Sequence, residues 1–123
     1  MKKVLVIEDN ENNLRLITYA LQRNGYQVVA AETGEKGVEL AQEEDLFFII
    51  VDIDLPGIDG YEVTRRIKNS KGMGHIPVIA ITSYAMVGDR EKVMAAGCNG
   101  YFEKPIDPLT IIDKIHEVVK PRG

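Results

Sequence analysis

The sequence predicts an α/β domain: a parallel sheet with helices on both faces. Three observations predict it. Val4-Leu5-Val6-Ile7, Phe47-Phe48-Ile49-Ile50-Val51 and Val78-Ile79-Ala80-Ile81 are short unbroken apolar runs, the pattern of strands buried on both sides. The segments between them carry apolar residues at spacings of three and four, which mark one helical face. Strand and helix then alternate along the chain, which implies right-handed crossovers and a parallel sheet.

Each element follows in order. The first strand, 4–7, ends at Glu8-Asp9. Residues 10–24 form a helix with Leu14, Ile17 and Leu21 inward, capped by Asp9 or Asn10 and stopped by Gly25. Residues 26–31 form the second strand around Val28 and Val29. Residues 34–44 repeat the helical pattern through Val38 and Ala41. The third strand, 47–52, delivers Asp52 to its end, and Pro56-Gly57 and Asp59-Gly60 supply the turn. A third helix covers 61–68 with Val63 and Ile67 inward, followed by a polar loop, 69–75. The fourth strand, 78–81, ends at Thr82-Ser83. A fourth helix covers 87–96 and is closed by Gly97. The fifth strand, 100–103, ends at Lys104-Pro105. Asp107 or Pro108 starts the last helix, with Leu109, Ile112, Ile115 and Val119 inward.

The chain has 123 residues, which is read as one domain, 1–123, with no second domain. Its 45% hydrophobic and 28% charged residues are ordinary for a globular protein. A net charge of −4 offers nothing to phosphate, so nucleic acid is not expected as a direct partner. The lone Cys98 permits no internal disulfide, which suits a reducing cytoplasm. No stretch is expected to be a signal peptide or to enter a membrane.

Ligands of open parallel sheets bind outside the carboxyl ends of the strands. Reading those ends gathers Glu8, Asp9, Asp52, Thr82, Ser83 and Lys104. At an effective dielectric of 20, two like charges about 4 Å apart repel by on the order of 4 kcal/mol. A hard divalent cation relieves that repulsion, and Mg²⁺ does so while leaving positions for a phosphoryl oxygen. Lys104 and Thr82 add a cation and a donor. This is equipment for in-line phosphoryl transfer with Asp52 as nucleophile. Taken singly, each residue has an ordinary alternative: Asp9 as a helix cap, Thr82 as a turn residue, Lys104 as a solvated surface residue. The set in this order carries the reading. His75 and His116 have no partners at metal-ligand spacing and are read as solvated, and Cys98 as a small structural residue.

Four separated motifs then resemble, in register and over the whole chain, the receiver domains of two-component response regulators. They are Val4-Leu5-Val6-Ile7-Glu8-Asp9-Asn10, Asp52-Ile53-Asp54-Leu55-Pro56-Gly57-Ile58-Asp59-Gly60, Ile79-Ala80-Ile81-Thr82-Ser83 and Gly97-Cys98-Asn99-Gly100-Tyr101-Phe102-Glu103-Lys104-Pro105. The stretch Tyr84-Ala85-Met86-Val87-Gly88-Asp89-Arg90 resembles single-domain DivK-like regulators and the receivers of hybrid kinases. The resemblance implies a flavodoxin-like sheet with strand order 2-1-3-4-5 and no output domain. It implies that Asp52 accepts a phosphoryl group from a phosphohistidine of a histidine kinase or histidine phosphotransfer protein. It implies Mg²⁺ as cofactor, held by Glu8, Asp9, Asp52 and the backbone carbonyl of Asp54. Thr82 and Lys104 then bond the phosphoryl group, Tyr101 rotates inward as Thr82 moves, and Lys104-Pro105 is cis. Such a protein is a switch rather than an enzyme, cytoplasmic, and read by a protein partner on the face of the fourth helix, fifth strand and fifth helix. Val87, Arg90, Tyr101 and Glu103 are read as that reader surface, with Val87 equally readable as a core residue, and Asn12, Asn13 and Leu16 as meeting the donor, with edge burial the alternative for Leu16.

The chain departs from the family pattern in places. Leu46-Phe47 stands where Pro-Asp is common, and Glu8 where Asp is common. Asp54 and Tyr84 occupy positions that in this family influence phosphoryl lifetime. Two rivals share part of the pattern. A haloacid-dehalogenase-type phosphatase pairs aspartates as in Asp52-Ile53-Asp54, but on an early strand and in a longer chain. A flavodoxin-like FMN carrier needs a phosphate loop after the first strand, where Glu8-Asp9 stands. No Gly-x-Gly-x-x-Gly follows that strand for a dinucleotide.

Overall fold

The computed structural model describes residues 2–83 and 88–119. Strands β1 (Lys3–Ile7), β2 (Gln27–Ala31), β3 (Phe48–Asp52), β4 (Val78–Thr82) and β5 (Gly100–Glu103) form one sheet in the order β2-β1-β3-β4-β5. Every adjacent pair is parallel. Helices α1 (Glu11–Arg23), α2 (Gly34–Glu43), α3 (Gly60–Asn69) and α4 (Asp89–Ala96) lie in the connections, and α5 (Ile111–Val119) follows β5. The doubly wound, flavodoxin-like architecture predicted from the sequence is the one that forms.

Strand alternation divides the core into two. Leu5, Ile7, Ile49, Val51, Val78 and Ala80 pack with Val63, Ile67 and Val93 beneath α2, α3 and α4. Val4, Val6, Phe48, Ile50, Ile79 and Ile81 pack with Ile17, Leu21, Ile112 and Ile115 beneath α1 and α5. Each such side chain contributes roughly 1.5–3 kcal/mol by leaving water. All of β3 and β4 is buried, which is why neither strand alternates in sequence. The edge strands β2 and β5 are partly exposed.

Side chains cap the helices where short polar residues precede them. Asn10, Thr33 and Asp59 accept from the amides of Asn13, Lys36 and Glu62, so the cap of α1 is Asn10 and not Asp9. At the opposite end of the sheet, the Lys68 ammonium donates to the carbonyls of Gly74 (3.3 Å) and Ile76 (2.6 Å) and to Asn99 Oδ1 (3.0 Å). Asn99 Oδ1 also accepts from the Val78 amide at 3.0 Å, pinning the loop to the start of β4. Phe47, at the departure before β3, stacks on Tyr26 with ring centroids 6.0 Å apart, and the Lys2 ammonium sits 4.0 Å above its ring.

Three expectations are corrected. Helix α4 begins at Asp89 behind Gly88, whose φ of 90° is a left-handed conformation that breaks helical geometry; Val87 lies outside the described residues. Helix α5 begins at Ile111, not at Asp107 or Pro108. Asp107 Oδ1 accepts from the Leu109 amide at 2.9 Å and its carbonyl from the Thr110 and Ile111 amides, a capped turn that leads into the helix. Leu109, within that turn, is 73% exposed rather than inward. Finally, His116 is not simply solvated, because its Nε2 lies 2.6 Å from the Tyr26 hydroxyl, tying α5 to the residue before β2. His75 is exposed. Lys104-Pro105 is cis, as the resemblance implied.

The start of α3 sits hard against the end of β3. A Cβ at Gly60 would stand 2.6 Å from both the Asp52 carbonyl oxygen and the Ile53 Cα. Both are backbone atoms, so the contact cannot be relieved by a rotamer change. Gly60→Ala should lower the unfolding free energy by about 1–3 kcal/mol, the usual penalty of overpacking. Urea denaturation measures it, and an unchanged midpoint would show that this turn yields freely.

Candidate functional site at the strand carboxyl ends

Sheet register brings the expected residues together. Ile7 pairs with Val51, so the next residues, Glu8 and Asp52, are neighbours. Asp52 pairs with Ile81, so Thr82 stands one step beyond. Thr82 pairs with Glu103, and Lys104 follows. Backbone bonds extend the ladder past the strands: Glu8 to the Ala31 carbonyl (3.0 Å), Ile53 to Ile81 (2.9 Å) and Lys104 to Thr82 (2.8 Å). These bonds fix the directions in which the side chains leave the sheet.

Glu8 and Asp52 are buried, 1% and 4% exposed, with a single cation between them. Lys104 Nζ lies 3.0 Å from Asp52 Oδ2 and 2.8 Å from Glu8 Oε1. Asp52 Oδ1 accepts from the Asp54 amide at 3.0 Å, and Glu8 Oε2 from the Asn10 amide at 3.2 Å. Glu8 Oε1 is different. Lys104 approaches it at an angle outside hydrogen-bond geometry, and the oxygen has no hydrogen-bond partner among the described residues.

The electrostatics follow from burial. The Glu8 carboxyl is pushed up to about 7, first by burial and then by the neighbouring Asp52; Lys104 opposes both and is outweighed. Burial alone would lower the Lys104 ammonium, but its contacts with Glu8 and Asp52 together raise it.

One oxygen each from Glu8, Asp9 and Asp52 lie within 4.8 Å of one another. Asp9 is exposed and opens the cluster to water. An all-oxygen donor set, an unsatisfied buried carboxylate oxygen and a solvent-facing rim fit Mg²⁺, which keeps several waters and binds few carboxylates.

Thr82 is buried, and its Oγ1 donates to Asp54 Oδ2 at 3.0 Å. The Ser83 amide donates to the same oxygen at 3.2 Å. The sequence placed Asp54 at the metal through its backbone carbonyl and at a position that influences phosphoryl lifetime, but did not foresee the bonds from Thr82 and Ser83 to its carboxylate. The available signal was its place two residues past a strand end, with Thr82 ending the neighbouring strand. Tyr101 pairs with Ala80 and by alternation shares a sheet face with Thr82. It is half-buried, and its hydroxyl has no hydrogen-bond partner among the described residues. Burial raises the phenol, with Asp89, Glu103 and Asp54 adding to the effect.

Arg90 and Glu103 are exposed and line a cleft with Tyr101, Pro105 and Lys114. Asn12 is exposed, and Asn13 and Leu16 partly so, on the first turns of α1. Tyr84 and Val87 lie outside the described residues.

Residues 4–116 match the family of the response regulator receiver domain. The polar-differentiation response regulators DivK of Brucella ovis and Brucella suis are each 39% identical over 93% of this chain and 93% of their own. The receiver domain of a sensor histidine kinase from Pseudomonas aeruginosa, solved with a magnesium ion coordinated in its active-site cleft, superposes with a TM-score of 0.88 at 32% identity over 98% of both chains. A CheY-like receiver domain protein from Methanospirillum hungatei gives 0.88 at 26% identity, over 97% of this chain and 94% of that one. Sheet order, the acidic cluster facing Lys104 and a match over nearly every residue agree, and the chain belongs to the response regulator receiver domain family.

Proposed function

We propose that this chain is a phosphorylation-driven switch of a two-component phosphorelay, in which Asp52 accepts a phosphoryl group from a phosphohistidine. Receiver domains are phosphorylated by histidine kinases or phosphotransfer proteins, bind Mg²⁺ at an acidic site and contact other protein partners. The observation that carries the reading to these residues is the buried Asp52 carboxylate held between Lys104 Nζ and the Asp54 amide, beside Glu8 and Asp9.

In the transfer, an Asp52 oxygen attacks phosphorus. The new O–P bond forms as the P–N bond breaks, and the electron pair of that bond returns to the donor imidazole. Glu8, Asp9, Asp52 and the Asp54 carbonyl would hold Mg²⁺, which supplies charge neutralisation for the phosphoryl oxygens. Lys104 then exchanges its Asp52 contact for a phosphoryl oxygen, because the carboxyl group of the acyl phosphate no longer carries the charge. Thr82 turns to donate to the phosphoryl group, and Tyr101, whose hydroxyl makes no hydrogen bond among the described residues, follows into the vacated space.

Asn12, Asn13 and Leu16 on α1 meet the donor, and Arg90, Tyr101 and Glu103 belong to the face a protein reader recognises. A DivK-like stand-alone role is supported by 39% identity spanning 93% of each chain. The 32% match to the receiver of a sensor kinase supports the hybrid-kinase reading less strongly. No described helix is long and apolar enough to cross a membrane.

Acetyl phosphate and Mg²⁺ should yield a single phosphoryl adduct by intact mass, acid-stable and alkali-labile, absent from Asp52→Asn. An adduct of full yield in that variant, or none in the unsubstituted protein, would overturn the assignment. Continuous hydrolysis of varied phosphate monoesters would instead indicate a phosphatase.

A second outcome concerns pH. In chelator, folded Glu8 keeps its proton up to about 7, against 4.5 for the ordinary carboxyl. The folded state therefore binds the proton more tightly than the unfolded chain. The stability from that proton is fully present below 4.5 and is lost as pH rises through 7. The loss is about 3 kcal/mol. Urea titrations from acid to neutral pH should show this decline, and Glu8→Gln should flatten it. Equal slopes in the two proteins would assign the decline elsewhere.

A further inference from the structure

The switch as proposed uses Asp54 only through its carbonyl, yet the Asp54 carboxylate has its own bonds. Its Oδ2 accepts from Thr82 Oγ1 at 3.0 Å and from the Ser83 amide at 3.2 Å. A hydroxyl has one proton to donate. Thr82 can give it to Asp54 or to a phosphoryl oxygen on Asp52, and not to both at once. Asp54 and the phosphorylation site are also coupled by a hydrogen bond, since the Asp54 amide donates to Asp52 Oδ1 at 3.0 Å. Charge-assisted bonds of this kind are roughly twice as strong as neutral ones.

We propose that the Asp54 carboxylate is a latch, which holds the Thr82 hydroxyl and the Ser83 amide in the resting arrangement and so sets the threshold at which the switch turns. The proposal deepens the reading of Asp52 as phosphoacceptor and rests on it. Asp54 acts through Thr82, so it is a positioning residue. Its carboxylate holds the end of β4 and the first residue of the β4–α4 connection together. Phosphorylation must therefore draw the Thr82 hydroxyl away from Asp54 Oδ2, against the bond that now holds it. The same carboxylate also repels an incoming anion simply by its charge, and a test must separate the two effects.

Beryllofluoride with Mg²⁺, as a phosphoryl mimic, provides that test in a double-mutant cycle. The unsubstituted protein, Asp54→Ala, Thr82→Ala and the double variant are titrated and followed by NMR. The latch predicts that Asp54→Ala binds roughly tenfold more tightly, and that most of this gain disappears in the Thr82→Ala background. The same gain in both backgrounds means charge repulsion alone and overturns the latch, as does no gain at all. A reading on the unliganded protein needs no phosphoryl mimic. The Ser83 amide should shift and exchange faster with solvent in Asp54→Ala, and in Asp54→Asn should lie between the two. An unchanged Ser83 amide overturns the latch even if Thr82→Ala does not fold. Failure of Asp52 to take up phosphoryl from acetyl phosphate would sink the phosphoacceptor reading, whereas normal uptake with an unaltered Ser83 amide would sink the latch alone.

Discussion

The constraint on which the rest depends is a charge conflict at the end of a buried sheet. Parallel pairing places Glu8 and Asp52 side by side, both almost fully buried, with Lys104 as the cation in contact with them. One lysine cannot satisfy two carboxylates, and one Glu8 oxygen is left without a hydrogen bond among the described residues. Removing charges from water costs several kcal/mol per ion even after relaxation. That cost, with Asp52 adding to it and Lys104 opposing it, pushes the Glu8 carboxyl up to about 7. A site built for stability would not be arranged this way; the arrangement supports the proposed acceptance of Mg²⁺ and a phosphoryl group.

The fold makes this conflict possible and keeps it in place. Strands β3 and β4 are buried along their whole length, so their ends cannot slide without exposing a core face. Gly60 brings α3 against the backbone of Asp52 and Ile53, and Asn10 anchors α1 directly behind Glu8 and Asp9. On the other side the anchoring is weaker. Strand β5 is half-exposed, and Tyr101 carries a buried hydroxyl with no bond among the described residues. Rigid support therefore lies under the carboxylates, and the looser packing lies along the route from Thr82 to Tyr101. That is the distribution expected of a site where the chemistry is fixed and the response moves.

How much of this was legible in the sequence depends on the range of the interaction. Strands β1, β3 and β4 were readable because double burial leaves an uninterrupted apolar run, as in residues 48–51. The acidic cluster with Lys104 was readable because a parallel sheet puts all strand ends on one edge, whatever the details of packing. Leu109 was misplaced because it fits the helical spacing of Ile112 and Ile115, while it lies in the turn ahead of α5, its amide donating to the Asp107 carboxylate and its side chain exposed. The Tyr26 contact of His116 spans ninety positions, and no local pattern announces it. The Asp54–Thr82 bond is of the same kind, since it depends on the orientation of two side chains leaving neighbouring strands.

That last bond bears on what kind of switch the geometry makes. Moving a two-state equilibrium from about 1:99 to 99:1 takes roughly 5.5 kcal/mol of differential stabilisation. In the proposed switch the phosphoryl group has to supply it through bonds with Thr82, Lys104 and the cation, less the bonds those groups give up. Lys104 gives up little, because it exchanges one oxygen of the same cluster for another. Thr82 gives up a bond to a carboxylate, and Ser83 a second to the same atom. A resting state tied in this way lowers the fraction of unphosphorylated molecules that read as active, and it takes the same amount from the drive available after phosphorylation. Tightness at rest and completeness of activation are thus set against each other at one oxygen, Asp54 Oδ2, outside the cluster that performs the transfer.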